Sequence, residues 1–351
     1  MSVLQNNWVR AAIVAAAAAG LAAALVLHGP NWGQVGSAFT QVRWQWVAAA
    51  IGLNLASVLV RAVAWRTVIT QAMPPPHPSF MLVFSAFSVG LFANAVLPGR
   101  IGELARVAVL TRKLPDRRGA WATLVGTVFA HRVFDLVASI LLVLYVALTA
   151  RIPDWAVTSL IGLVGLGVGA LTLAILSARR HEPFWRLDSL GAIRKVIRLA
   201  RYGLGVMRSP VDSLVAAFCQ ILGWTCQLLA VYTAMRAFDI HSPLPAAALV
   251  LVLMNVATIF PLWPGNVVLL QAAVAQPLLR YGVAYARGFA FGFGLQAIEA
   301  SVGVGVGLIF LAREGLTFAM LKVMPGAEQA EVPENEVAEA DVERPRARVP
   351  G

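Results

Sequence analysis

Charge is scarce in this chain. Asp, Glu, Lys and Arg make up 13% of its 351 residues, while 59% are hydrophobic. A soluble core needs far less apolar material, so the composition excludes an ordinary globular domain and indicates an all-α, polytopic helical membrane protein. Cysteine is nearly missing. Cys219 and Cys226 stand alone within one apolar run, which excludes a disulfide framework and offers no metal spacing. Enzyme signatures are lacking too: there is no P-loop, no Rossmann glycine fingerprint, no His-Glu-x-x-His and no nucleophile elbow. Nor is any globular stretch long enough to house a separate catalytic domain. The sequence therefore leads us to expect no catalytic residue, no cofactor and no metal.

Basic residues are in excess, with a formal net charge of +11, but they lie between the apolar runs. The expected partner is a membrane lipid surface rather than nucleic acid. Apolar runs near 9–28, 44–68, 120–149, 156–177, 210–236 and 288–312 have the length of about 20 residues that crosses a bilayer as a helix. The first follows Arg10 as a signal peptide would, yet lacks a small-x-small cleavage site and reads as a retained span. Two further apolar regions, 80–111 and 245–279, are too long for one span. Each is interrupted, by Pro98-Gly99 and by Pro264-Gly265. Each is either a pair of short spans or a re-entrant hairpin, and both options return the chain to the side it came from.

Lys and Arg set the orientation. Arg112, Lys113, Arg117 and Arg118 follow the first broken region, and eight more basic residues fill the 178–209 connection. Both loops are expected in the cytoplasm, which puts both termini there as well. The first hairpin then enters from the inside and the second from the outside. Arg280 and Arg287, on the outer side, run against this bias. Segment 184–201 mixes apolar and basic residues as an interfacial helix would, but a positive-inside anchor accounts for it more simply. The integral domain is expected over 1–324. The acidic, proline-containing stretch 325–351 lacks the apolar surface to offset ordering entropy and reads as a disordered tail.

The two broken regions are related. Their Pro-Gly pairs lie 166 positions apart, and the same shift lays 44–70 on 210–236, with Asn54 opposite Gln220 and Arg61 opposite Gln227. Repeat one would cover about 44–149 and repeat two about 210–312. In the topology above they run in opposite directions, an inverted repeat of the kind that recurs in transporters. The small residues of Gly303-Val304-Gly305-Val306-Gly307 are expected to serve close helix packing.

Charge inside hydrocarbon costs about 3 kcal/mol per group on insertion scales, so intramembrane ionisable residues are site candidates. The stretch Asn94 to Arg106 places a helix break, Arg100, Glu103 and Arg106 in an apolar run. Glu103 and Arg106 are three apart and can pair. Arg100 stands where a helix restarts, and a helix N-terminus with an arginine makes a phosphate seat. His131, Arg132 and Asp135 lie about one turn from each other, with Arg132 and Asp135 another pair at that spacing. Arg61 lies deeper than Arg66, which is expected to snorkel. The second hairpin offers only Asn255, Asn266 and Gln271, with Glu299 the one carboxylate near it. The cavity should be electropositive in its inner half and merely polar in its outer half.

The pattern Asn94, Leu97-Pro98-Gly99-Arg100-x-Gly102-Glu103-x-x-Arg106, followed by Arg132-x-x-Asp135, resembles the membrane region of lysylphosphatidylglycerol synthases, which also occurs alone in flippase-like membrane proteins. The resemblance covers roughly 10–315. It implies movement of a lipid or lipid-linked group between leaflets of a prokaryotic plasma membrane, with Asn94, Arg100, Glu103, Arg106 and Arg132 at functional positions. The chain departs from that family where Pro264-Gly265-Asn266 replaces Pro-Gly-Gly and Gln271 stands in place of a glutamate. The soluble aminoacyl-transferase domain of the full synthases is absent from this sequence. The leading expectation is a lipid flippase for an anionic or zwitterionic head group. The alternatives are a membrane-embedded transferase acting on a lipid-linked substrate, and a scaffold for a partner lipid-modifying enzyme.

Overall fold

The computed structural model describes residues 30–97, 101–114, 120–152, 209–258 and 268–315, with parts of 157–172. The expected first span at 9–28, most of the span at 156–177, the tips Pro98-Gly99-Arg100 and Pro264-Gly265-Asn266, the linker 178–208 and the tail 325–351 lie outside the described residues.

All regular structure among the described residues is helical. A short helix α1 (Trp32–Thr40) starts at Asn31, whose side chain accepts from the Gln34 N–H at 3.2 Å. Helix α2 (Trp44–Ala72) ends just before the proline-rich turn 74–76, where continuation would lose backbone donors. Helices α3 (Phe80–Val96) and α4 (Gly102–Lys113) follow as a pair, then α5 (Ala120–Thr149). After the linker come α6 (Pro210–Ala237), the short pair α7 (Leu244–Ala257) and α8 (Leu269–Leu278), and α9 (Tyr285–Ala300). The last of these continues through a π-helical stretch, Ser301–Val306, into α10 (Gly307–Arg313). Ser79 caps α3, and Ser209 caps α6 with Pro210 in its first turn, the residue types that satisfy free N–H groups at a helix start.

Among the described residues four helices are long and apolar enough to cross a membrane: Trp44–Ala72, Thr123–Thr149, Pro210–Ala237 and Tyr285–Arg313. They coincide with four of the expected spans. Their outer faces are apolar. Leu148, Leu214, Phe218 and Ile309 are each at least 66% exposed, which water would penalise and lipid tails accept. The protein is a polytopic helical membrane protein. By contrast α3, α4, α7 and α8 have 17, 12, 14 and 10 residues, each short of the ~20 that a crossing helix needs.

The order long helix, short pair, long helix occurs twice. An offset of 166 places the starts of α2, α3, α4 and α5 within two residues of the starts of α6, α7, α8 and α9. Helices α2 and α6 pack side by side and antiparallel: the Arg43 N–H reaches the Ala237 oxygen at one end, while Ser57 meets Gly223 in the middle. Two large apolar cores result, beside a small cluster of Val68, Ala130, Phe134 and Ala216. One gathers Trp65, Ile69, Val83, Leu110 and Leu124 around α3 and α4. The other gathers Met235, Ile240, Leu251, Leu278 and Phe291 around α7 and α8.

The two short pairs open toward opposite ends of the bundle. Lys113, closing α4, lies 3.3 Å from Glu314 at the end of α10, and Ser85 of α3 donates to the same carboxylate at 2.7 Å. At the other end, the Tyr281 hydroxyl after α8 accepts from the Arg151 N–H at 2.8 Å. There Asp239 also meets Arg43 at 2.9 Å and Arg287 at 3.9 Å. Arg287, which ran against the expected charge bias, thus has a carboxylate partner.

Glycine serves packing selectively. A Cβ on Gly102 would sit 2.0 Å from the Gly90 oxygen, and one on Gly307 would sit 2.4 Å from Phe92 Cβ. Gly303 and Gly305 face nothing within 4 Å. The expectation that this whole run packs closely is corrected: of its three glycines only Gly307 meets a neighbouring helix, since the faces at Gly303 and Gly305 look onto open space.

Candidate functional site

Seven of the nine candidate residues line one small cavity of about 70 Å³: Arg61, Asn94, Glu103, Arg106, His131, Arg132 and Asp135, with Phe87, Gly90, Leu91 and Gly102. The cavity lies between the first short pair, α3 and α4, and the long helices α2 and α5.

Both expected same-helix pairs form. Glu103 pairs with Arg106 one turn along α4 and with Arg132 across on α5. Arg132 also holds Asp135 at 2.9 Å. The second oxygen of Asp135 accepts from Gln220 Nε2 at 2.5 Å and from Trp224 Nε1 at 2.7 Å, both on α6. Two carboxylates thus tie α4, α5 and α6 together around Arg132.

The other two arginines are held by aromatic faces. The Arg106 guanidinium lies 4.5 Å from the Trp65 ring centroid and 5.3 Å from that of Phe87. Trp65 is fixed in turn by its Nε1 hydrogen bond to Thr127 at 3.2 Å. Arg61 lies over Trp224 at 4.8 Å and donates to Gln227 Oε1 at 2.9 Å. Such stacking is worth about 2 kcal/mol or more when desolvated. It also leaves donor directions free. The Nε atoms of Arg61 and Arg106 and the Nδ1 of His131 are buried and have no hydrogen-bond partner among the described residues. Three arginines therefore face two carboxylates around a cavity with unused hydrogen-bonding atoms, an arrangement that suits an anion.

One candidate sits elsewhere, one is not described, and one has another task. Glu299 does not line the cavity; it lies on α9. Arg100 lies outside the described residues. Asn94 Oδ1 accepts from the Gly102 N–H at 2.8 Å. It therefore fills part of the helix start that the sequence reading offered to a phosphate. Among the described residues no group of His, Cys, Asp and Glu could hold a metal ion.

Sequence reasoning missed Gln220 and Trp224 as holders of Asp135, and Trp65 and Phe87 as the seat of Arg106. A glutamine and a tryptophan one turn apart in an apolar span were the available signal for the first pair. Nothing local marked the second.

A helical bundle with a charged cavity set among membrane-crossing helices defines a multi-pass membrane protein with an internal polar site. The chain matches the family described as lysylphosphatidylglycerol synthase TM region over residues 7–307, and it belongs to that family. Membership points to a lipid-related function in a membrane. It is also similar to the UPF0104 membrane protein PH1989 of Pyrococcus horikoshii, 26% identical over 132 residues. That match spans 38% of this chain and 38% of the relative. No solved structure matches the chain.

Proposed function

We propose that the protein is a lipid flippase, moving an anionic or zwitterionic phospholipid-like head group between leaflets of a prokaryotic plasma membrane. The observation that carries this reading is the cavity itself: three arginines against two carboxylates, placed between helices whose outer faces are apolar. A head group would occupy the cavity while the acyl chains stay in lipid. In this reading α3–α4 and α7–α8 are re-entrant hairpins entering from opposite sides, the first from the cytoplasm, and the two halves form an inverted repeat. Both termini are then cytoplasmic.

The residues divide by role. Arg106 and Arg61, each with an unpartnered Nε, receive the phosphate together with His131. Arg132, already shared between Glu103 and Asp135, fixes their geometry. Arg100 is assigned to the same anion by its place beside Asn94 and Glu103 in the sequence motif.

Purified protein in vesicles carrying fluorescent phospholipids tests this. Wild type should equilibrate the label between leaflets, while Arg106→Ala and Arg61→Ala should slow it at least tenfold. Equal rates in all three, or no movement in wild type, would sink the proposal for the lipids used.

A further inference from the structure

The hydrogen-bonding atoms left over around the cavity are almost all of one kind. Arg106 is 4% exposed and His131 3%. Arg106 Nε, Arg61 Nε and His131 Nδ1 are buried without a hydrogen-bond partner among the described residues. The two arginine atoms can only donate, and the histidine nitrogen can donate or accept. The acceptors of the same walls are taken. Glu103 meets Arg132 with one oxygen and Arg106 with the other. Asp135 holds Arg132 on one oxygen, and on the other the Gln220 amide and the Trp224 indole. Asn94 Oδ1 accepts from the Gly102 N–H. Gln220 Oε1 is a buried acceptor without a partner, but Gln220 does not line the cavity. Among the described residues the lining therefore offers donors to a ligand, and an ammonium group would meet no free carboxylate there.

The space is also small. A single water needs about 10–15 Å³ of such a cavity, so about 70 Å³ admits about five non-hydrogen atoms. One phosphate group has that size. Ethanolamine, glycerol or an aminoacyl ester on the same phosphate extends beyond it. Besides its polar residues the lining consists of Phe87, Leu91 and two glycines, Gly90 and Gly102, which offer such a substituent no side-chain partner. Arg61, Arg106 and Arg132 against Glu103 and Asp135 leave the site net positive, and arginine matches phosphate oxygens in geometry as well as charge.

From the donor set and the volume together we infer that the head group taken by this cavity is a bare phosphate, a phosphate monoester, and not a diester carrying an amine, a sugar or glycerol. The inference rests on the flippase reading above and narrows its substrate. A monoester has a single carbon substituent, the lipid itself, which leads out to the acyl chains. Its remaining oxygens accept from Arg61, Arg106 and His131. A diester has a second substituent, and the cavity does not house it. Inorganic phosphate offers the same chemistry without the lipid, so the test has to separate the two.

Vesicles containing the protein and a lipid with a fluorescent acyl chain provide that test. Phosphatidic acid, phosphatidylglycerol and phosphatidylethanolamine are used in separate preparations, with protein-free vesicles as the baseline. Above that baseline, phosphatidic acid should change leaflet about tenfold faster than either diester, or more, as expected where a pocket refuses an added group. Leu91→Ala trims a lining side chain to a methyl group and should bring that ratio of rates to about threefold or less. Radiolabelled inorganic phosphate outside the same vesicles distinguishes the free ion from the lipid. Diesters that move as fast as phosphatidic acid, or faster, overturn the inference and leave the flippase reading standing. A Leu91→Ala protein that keeps the full ratio overturns it too, because size would then not set the preference. Phosphate that enters the lumen while phosphatidic acid stays in place upholds the bare-phosphate site and overturns the flippase reading. No movement of any lipid or of phosphate overturns both.

Discussion

Ser57 donates its hydroxyl proton to the carbonyl oxygen of Gly223 at 2.7 Å, and the two residues are 166 positions apart. Where two antiparallel helices are related by a two-fold axis across them, only the residue at the axis faces its own counterpart. This pair stands at that point of α2 and α6. One turn on, Arg61 reaches Gln227, again 166 positions away, because its side chain is long enough to span the offset. The two halves thus bring equivalent positions together with unlike chemistry, a cation against a neutral amide. The same asymmetry holds for the short pairs, where Glu103 and Arg106 sit on α4 while α8 offers the uncharged Gln271. A charged cavity on one side of the axis follows from it.

The contact between the first two short helices depends on two glycines. A Cβ on Gly102 would meet the backbone oxygen of Gly90 at 2.0 Å and Asn94 at 2.6 Å. Backbone cannot yield as a side chain does, so Gly102→Ala should cost about 1–3 kcal/mol as an overpacking change. Gly52→Ala, with nothing within 4 Å, should leave stability unchanged or raise it slightly. Thermal unfolding in detergent measures both. Equal midpoints would remove the argument for close packing at Gly102.

Arg106 and Arg132 share Glu103 but not its surroundings. The Arg106 side chain is 5% exposed and stacks on two rings, whereas that of Arg132 is 49% exposed. Removing one partner of a buried pair costs about 3–5 kcal/mol, and an exposed pair contributes about 1 kcal/mol or less. Arg106→Ala should therefore destabilise the protein clearly more than Arg132→Ala. Denaturation of the two variants side by side gives the ranking, and the reverse order would contradict the assigned burial.

Asp135 collects donors from two helices, with Gln220 and Trp224 on one oxygen and Arg132 on the other. Asp135→Asn replaces an acceptor oxygen with an NH2 group and brings donors face to face. A double-mutant cycle with Trp224→Phe should show non-additivity of about 0.5–3 kcal/mol, as for residues in one network. Additive losses would mean that the indole bond contributes nothing to folding.

Much of this architecture is legible from residue order. Lipid-length apolar runs mark the four long helices, and the spacing of three marks Glu103 with Arg106 and Arg132 with Asp135, since neighbours on one helix are set by its period. Arg61 was legible as the deeper of two arginines. What crosses between helices was not. The long spans are apolar all round, so periodicity does not show which face meets which partner. That is why Trp65 beneath Arg106, and Gln220 with Trp224 beside Asp135, emerge only from the fold. Asn94 shows the same limit: its charge-rich neighbours suggest a ligand, while its oxygen serves the Gly102 N–H eight residues on.

Orientation is open to a direct labelling test. Lys113 and Asp239 are exposed at opposite ends of the bundle, and Cys219 and Cys226 can be replaced by serine to clear the background. By the distribution of Lys and Arg, Asp239→Cys should react with a membrane-impermeant maleimide on intact cells, and Lys113→Cys only after permeabilisation. Val96→Cys distinguishes a re-entrant hairpin from two spans, since Val96 is 40% exposed at the far end of α3. A spanning α3 would carry it to the outer surface and label it together with Asp239→Cys. A re-entrant α3 keeps it within the membrane, where it escapes the outside reagent or reacts only from the side of Lys113. Labelling of Val96→Cys on intact cells would exclude the re-entrant arrangement, and with it the placement of the cavity's charged wall at mid-membrane.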